Sequence, residues 1–205
     1  MRIWLTTICG VGLCEIAVGF GLKLLALCGI MGLQIKILEG KNMCFICDRI
    51  NMIKNGTNPY FVKELETGYV VLGDNQHFKG YSLFLCKEHK TELFELDFST
   101  KMKFLEEMSV VAEAVSKAFR AEKMNYELLG NGDTHLHWHL FPRVNGDIGN
   151  YGNNGKGPVW WYPMEKMYSD DNRPSSLELE EMKSKLLNEL DKLLIADGVI
   201  SDADI

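Results

Sequence analysis

The chain has 205 residues, is 46% hydrophobic and carries a formal net charge of −6. That length and apolar content suit one globular domain with a good core, and the acidic balance argues against a broad nucleic-acid-binding surface. A small nucleotide needs only local positive charge, for which Lys87, Arg143, Lys156 and Lys166 are the candidates.

Residues 1–42 differ from the rest. They are largely apolar, and Glu15 and Lys23 are the only charges within residues 3–33. A membrane-spanning helix needs about 20 apolar residues, and each charge near its centre costs a few kcal/mol. Three readings are open: a weak membrane anchor, a buried N-terminal extension, or a segment not native to the working protein, whose start would then be Met43. No convincing small-residue cleavage site follows. Membrane association is expected only if this segment is a real anchor.

Next comes "CFIC", a C-x-x-C pair of Cys44 and Cys47. "YFVKELETGYVVLGDNQHFKGYSLFLCK" then reads as three short strands, the first two joined by a Glu-Thr-Gly turn. His77 falls in the second turn and is expected to be solvated. Residues 97–123 have a helical pattern: Phe104, Met108, Val111, Val115 and Phe119 recur at three- and four-residue steps. That stripe is core packing, and Ser99 or Thr100 is placed to cap the helix. "NYELLGNG" adds a fourth strand and a Gly-rich turn, and "THLHWHLFPR" a fifth. Residues 144–157 are a flexible loop by their Gly and Asn content. Trp160, Trp161 and Tyr162 either pack, stack on a base or cover a partner. "SSLELEEMKSKLLNELDKLL" is a C-terminal helix, with Pro174 before its start. Strands joined by short turns with a helix on one face give an α+β antiparallel domain.

The fifth strand concentrates the chemistry. Three of the chain's five histidines stand at 135, 137 and 139, alternating with Leu136, Trp138 and Leu140. Strict alternation is the period of a strand with two unlike faces, so the three imidazoles share one face at roughly 7 Å spacing. Leu136, Trp138 and Leu140 point into the core. Pro142 is expected to end the strand or mark an edge. Imidazole serves near neutral pH as base, acid, nucleophile or metal ligand. The face is therefore a metal site or a phosphate-handling site. Cys44 and Cys47, with Cys86, His89 and His135 further along, are a donor set that suits tetrahedral zinc. A C-x-x-C pair alone is also compatible with redox chemistry or a disulfide.

His-Leu-His-Trp-His-Leu-Phe is similar to the histidine-triad (HIT) motif of nucleotide hydrolases and transferases. "GYSLFLCKEH" (80–89) resembles the family's strand that ends in lysine-x-histidine, here Lys87 and His89, with Cys86 where proline is usual. The resemblance covers residues 43–143. The tail, including "GPVWWYPMEKMY", is similar to extensions in bacterial members related to diadenosine polyphosphate hydrolases. The resemblance implies an antiparallel five-stranded sheet with a long helix on one face and a C-terminal helix, spanning residues 43–205 as one nucleotide hydrolase domain.

It also implies roles. Zinc-containing members use the cysteine pair, the lysine-x-histidine histidine and the first triad histidine, here Cys44, Cys47, His89 and His135. Cys86 offers a rival set of Cys44, Cys47, Cys86 and His89, although Cys86 and His89 project to opposite strand faces unless the chain turns between them. A closed four-ligand site is structural. The middle histidine, His137, attacks the α-phosphate and becomes nucleotidylated, and water then cleaves the adduct. His139 donates to phosphate oxygens or the leaving group, and a third histidine in place of glutamine goes with hydrolysis. Asp74 matches the ribose-binding acid, its spacing one residue short, and Asn125 matches the polar residue ahead of the triad that contacts the nucleotide. Gly132 stands where a serine is common, so the resemblance does not carry over one expected phosphate or leaving-group contact. The implied reaction is hydrolysis of an adenosine nucleotide, a dinucleoside polyphosphate such as Ap4A above all. The alternatives are a nucleoside phosphoramidase that cleaves AMP from an amine, and a non-catalytic nucleotide-binding module. A cytoplasmic homodimer that binds no nucleic acid is expected.

Overall fold

The computed structural model describes residues 14–18, 22–27, 34–38, 44–151 and 155–196. It divides into two compact units, Met1–Met43 and Cys44–Ile205. In the first, β1 (Cys14–Val18), β2 (Leu22–Leu27) and β3 (Gln34–Leu38) pair antiparallel in the order β1-β2-β3. None of the readings of residues 1–42 foresaw strands. Gly19, Gly21, Gly29 and Gly32 cut the apolar run into pieces of strand length rather than leaving one long helix. No helix among the described residues is long and apolar enough to cross a membrane.

The second unit has the expected α+β architecture. β4 (Phe61–Glu64), β5 (Gly68–Leu72), β6 (Ser82–Cys86), β7 (Lys123–Glu127) and β8 (His137–Arg143) form one antiparallel sheet in the order β4-β5-β6-β8-β7. The long α2 (Phe98–Phe119) leads from β6 to β7, and the C-terminal α4 (Ser176–Ala196) packs with it on one face. Val70, Phe84 and Leu140 of the sheet meet Phe104 and Val111 of α2 and Leu186 of α4, all fully buried. Burying each such side chain stabilises by roughly 1.5–3 kcal/mol. Within the α2 stripe, Phe104, Val111 and Val115 are buried, while Met108 and Phe119 pack against the core partly covered. Asp97 caps α2, its carboxylate accepting from the Thr100 amide at 3.1 Å and from the hydroxyls of Ser99 and Thr100. The two expected caps are thus partners of an aspartate, which is the better amide acceptor at the N-cap because it is charged.

The other face is covered in two places. At one end α1 (Phe45–Lys54) seats Ile46 and Ile50 on Tyr69, Val71 and Leu85. No helix was expected here, but Ile46, Ile50 and Ile53 recur at helical spacing, and Cys44 caps the first turn by accepting from the Cys47 amide at 3.4 Å. At the other end Phe78, Tyr81 and Phe141 pack beneath Ile148, Val159 and Met167, the last from the short α3 (Met164–Met167). His137 and His139 belong to the gap between these two covers.

Three local expectations change. Pro142 does not end β8 but does mark an edge: it lies inside the strand opposite Met124, past Leu140, where the ladder to β6 stops. Residues 144–151 are not loose, since Arg143 clamps Asp147 with Nε–Oδ2 and Nη2–Oδ1 contacts of 2.6 and 2.8 Å and Ile148 is fully buried. His77 is not solvated: its ring stacks on Tyr162 at 4.1 Å, and its Nε2 is buried with no hydrogen-bond partner among the described residues. The Gly- and Asn-rich composition read as a loop because the clamp that orders it lies in one ion pair.

Glu107 of α2 ties the helix to the sheet. Its carboxylate accepts the Glu66 and Thr67 amides at 2.9 Å each and the Thr67 hydroxyl, in the turn between β4 and β5. Unsatisfied donors of this kind cost about 1–3 kcal/mol each. Glu107→Ala is therefore expected to lower the unfolding free energy by about 2–4 kcal/mol. Urea denaturation checks this, an unshifted midpoint contradicting it.

Candidate functional site

His137 opens β8, and its ring is oriented by its own strand. Nδ1 donates to the His135 carbonyl at 2.5 Å, which leaves the Nε2 lone pair free. That atom lies 3.0 Å from Nε2 of His139. The other His139 nitrogen, Nδ1, is 2.6 Å from the Tyr81 hydroxyl. Burial, with His137 beside it as the smaller cause, pulls the His139 imidazole down to about 3. Burial pushes the Tyr81 phenol well above its ordinary range. The arrangement is an imidazole with one nitrogen committed to a carbonyl beside a second imidazole that burial keeps neutral. Chemically, that suits a nucleophile next to a hydrogen-bond donor.

Both rings face a cavity of about 320 Å³. Phe45, Ile46 and Arg49 of α1 form one wall, Tyr168 stands on another, and Asp74 and Asp133 also line it. Arg49 pairs with Asp74 and lies over the rings of Phe45 and Tyr60 at 4.8 and 5.6 Å. The Asp133 carboxylate accepts the Phe45 amide at 3.2 Å, at the start of α1.

A second cluster adjoins the first. The ligand atoms of Cys44, Cys47, His89 and His135 all lie within 4.8 Å of one another. Individual separations are 3.6 Å (Cys44 Sγ to His135 Nδ1), 3.4 Å (Cys47 Sγ to His135 Nδ1) and 3.2 Å (Cys47 Sγ to His89 Nδ1, and His89 Nδ1 to His135 Nδ1). A zinc tetrahedron with bonds of about 2.3 Å to sulfur and about 2.0 Å to nitrogen has edges of about 3.3–3.8 Å. His135 Nε2 donates to the Cys86 carbonyl at 2.8 Å, so its Nδ1 presents a lone pair to the thiols. Burial first, and Cys44 next, push the Cys47 thiol up to about 11. A dication among these atoms would reverse that, because coordination holds thiols as thiolates. The donor set is compatible with zinc.

The residues singled out in the sequence divide as follows. Cys44, Cys47, His89 and His135 come together, and His137, His139 and Asp74 share the neighbouring cavity. Cys86 is not in the donor cluster: its side chain is buried in the main core, and the chain leaves the strand before His89. Asn125 is not at the triad cavity. It lies opposite Phe141, and its Oδ1 accepts from Arg143 at 2.8 Å on the rim of a different, larger cavity. None of Lys87, Arg143, Lys156 and Lys166 lines the triad cavity. Lys87 pairs with Glu64, Arg143 with Asp147, and Lys166 donates to the Tyr151 hydroxyl. Arg49, Tyr81, Tyr168 and Asp133 were not anticipated. For Arg49 a signal existed, since the 46/50/53 spacing that makes α1 also fixes which side of it Arg49 is on. Trp160 packs edge-on to Phe141 and its indole donates to Glu127 at 2.5 Å, whereas Trp161 is exposed.

Residues 58–146 match the family model of the HIT domain. Among solved structures, a hypothetical histidine triad nucleotide-binding protein from Sulfolobus tokodaii is similar at 19% identity and a TM-score of 0.54, covering 72% of this chain and 94% of its own. A histidine triad protein from Marinobacter aquaeolei reaches 24% and 0.52, over 65% of this chain and 89% of its own. One from Bradyrhizobium japonicum reaches 21% and 0.51, over 63% and 89%. These likenesses are of fold. No curated protein matches the chain. Residues 58–146 thus carry the HIT-domain match, and the solved histidine triad proteins share the fold.

Two measurements follow. Protein purified without chelator is expected to hold about one zinc per chain by mass spectrometry of metals, and Cys47→Ser to lose most of it. Second, the depressed His139 imidazole makes folding pH-dependent. Its unfolded form binds a proton near 6.5 and its folded form only near 3, so between those values the unfolded state holds more protons. Stability contributed by the neutral ring is present above pH 6.5 and is lost as pH falls toward 3. His139→Gln should accordingly lose less stability than wild type between pH 7 and pH 5 in urea denaturation.

Proposed function

We propose, on the premise of a HIT domain over residues 58–146, that this chain hydrolyses a nucleotide at its α-phosphate through a covalent nucleotidyl-His137 intermediate. The observation that carries the reading is the 2.5 Å contact from His137 Nδ1 to the His135 carbonyl, which commits one nitrogen and frees the other toward the cavity. The Nε2 lone pair attacks phosphorus, a P–N bond forms and the bond to the leaving group breaks. His139 stays neutral and donates its N–H as a hydrogen bond to the departing atom, which leaves with its electron pair and takes any proton from solvent. Water then attacks phosphorus, the P–N bond breaks with its electron pair returning to His137, the nucleoside monophosphate leaves and the proton from water passes to solvent. Asp74 holds the ribose hydroxyls, with Arg49 beside it as the local positive charge. Cys44, Cys47, His89 and His135 hold a structural zinc; that ion anchors the start of α1 and supplies no step.

The activity is assigned to residues 43–205, with residues 1–42 taking no part. The protein is taken as a cytoplasmic homodimer joined through α2 and the free edge of β7, with Cys44, Cys47 and Cys86 reduced. A dinucleoside polyphosphate such as Ap4A is the first substrate class. A second reading, the nucleoside phosphoramidase, has its own observation. The charged residues on the cavity wall are Arg49 against Asp74 and Asp133, and that balance suits an amine leaving group better than a polyphosphate.

Turnover of Ap4A and of an AMP-lysine analogue by the full chain, wild type beside His137→Ala, tests this. The variant should lose about a thousandfold or more on whichever substrate the wild type cleaves. Equal rates would remove His137 from the mechanism. AMP binding without product on either substrate would leave a nucleotide-binding module.

A further inference from the structure

We infer that Tyr81 is a positioning residue that fixes the tautomer of His139, making Nε2 rather than Nδ1 the proton-bearing nitrogen. The inference rests on His137 being the nucleophile. It follows from counting protons along one line of contacts. His137 Nδ1 faces a carbonyl at 2.5 Å and must carry a hydrogen. With His137 neutral, as a nucleophile must be, its Nε2 is a bare lone pair. His139 Nε2 lies 3.0 Å from that lone pair, so it must carry the hydrogen or two lone pairs would face each other. A neutral imidazole has one N–H, so His139 Nδ1 is then an acceptor. The hydroxyl 2.6 Å from it belongs to Tyr81, which donates.

Tyr81 is built for this task. It is 6% exposed, and its ring lies flat on Phe141 at 4.2 Å and 1°. A Cβ at Gly73 would sit 2.3 Å from the ring, so only glycine admits it there. Its backbone is held by Phe78, Gly73 and the Gln76 amide at 2.8–2.9 Å. The hydroxyl therefore cannot swing away, and the His139 ring, parallel to Tyr81 within 7°, is held in turn. Without this donor the Nε2–H tautomer is favoured by the His137 lone pair alone and the Nδ1–H tautomer is populated beside it, and only the first has a hydrogen on the nitrogen that faces His137.

Long-range ¹H–¹⁵N correlation spectra of the imidazoles, recorded on the free full-length protein at pH 7.5, read the tautomer directly. In wild type His139 is expected to show an acceptor Nδ1 and a protonated Nε2. Tyr81→Phe keeps the ring and its stacking, and should shift His139 toward a mixture. In turnover the same variant should lower kcat about 10- to 100-fold with KM nearly unchanged. A protonated Nδ1 on His139 in wild type overturns the inference, and so does a Tyr81→Phe spectrum identical to wild type. The spectra need no substrate. A protein that shows the expected tautomers but turns nothing over would sink the hydrolase reading alone.

Discussion

His135 is the residue on which the rest of the site depends, because both its ring nitrogens and its backbone oxygen are committed to different neighbours. Ring Nδ1 points at the two thiols, ring Nε2 donates to the Cys86 carbonyl, and the backbone oxygen receives His137. The ring is almost completely buried. A buried imidazole with both nitrogens engaged has one orientation, and the peptide that follows inherits it. The aim of the His137 lone pair is thus set from outside its own side chain. Second-sphere orientation of this kind usually comes from a separate carboxylate or carbonyl. Here it comes from the same residue that sits in the donor cluster.

The sheet makes this possible by keeping two jobs on two faces. One face is a hydrophobic layer under α2 and α4, with Phe84 and Phe104 stacked at its centre 5.0 Å apart. The other is covered at both ends but not in the middle. The period of the strand brings His137 and His139 to that middle, beside Tyr81 and Phe141 under the second cover, while Leu136 and Leu140 serve the core. Rigidity comes from one side and chemistry from the other, an arrangement in which functional groups rest on scaffold elements rather than on loops.

Much of this was legible in the chain. Alternation in "HLHWHL" assigns the faces, and the Phe104, Val111 and Val115 steps assign the α2 core stripe. The limits have particular causes. The C-x-x-C pair reads as chemistry, and that reading hid the helix it starts, and with it Arg49. Tyr81 looks like any aromatic in a strand, since only cross-strand register brings it beside His139. Asn125 is on the correct face, yet register puts it opposite Phe141 rather than beside the triad, and Arg143 occupies its carbonyl. The strands Cys14–Val18, Leu22–Leu27 and Gln34–Leu38 went unforeseen because a run this apolar resembles one long helix until its glycines are weighed.

The ten-residue α1 carries ligands at its first turn and cavity wall one turn later: Cys44 and Cys47 belong to the donor cluster, while Phe45 and Arg49 face His137. A metal held by the first group and a nucleotide held against the second would both favour the same docked position of one short helix. Their affinities are then linked reciprocally: whatever factor the metal adds to nucleotide binding, the nucleotide adds to metal binding. A site that is structural by its closed ligand set would in that way act as an effector of the pocket beside it.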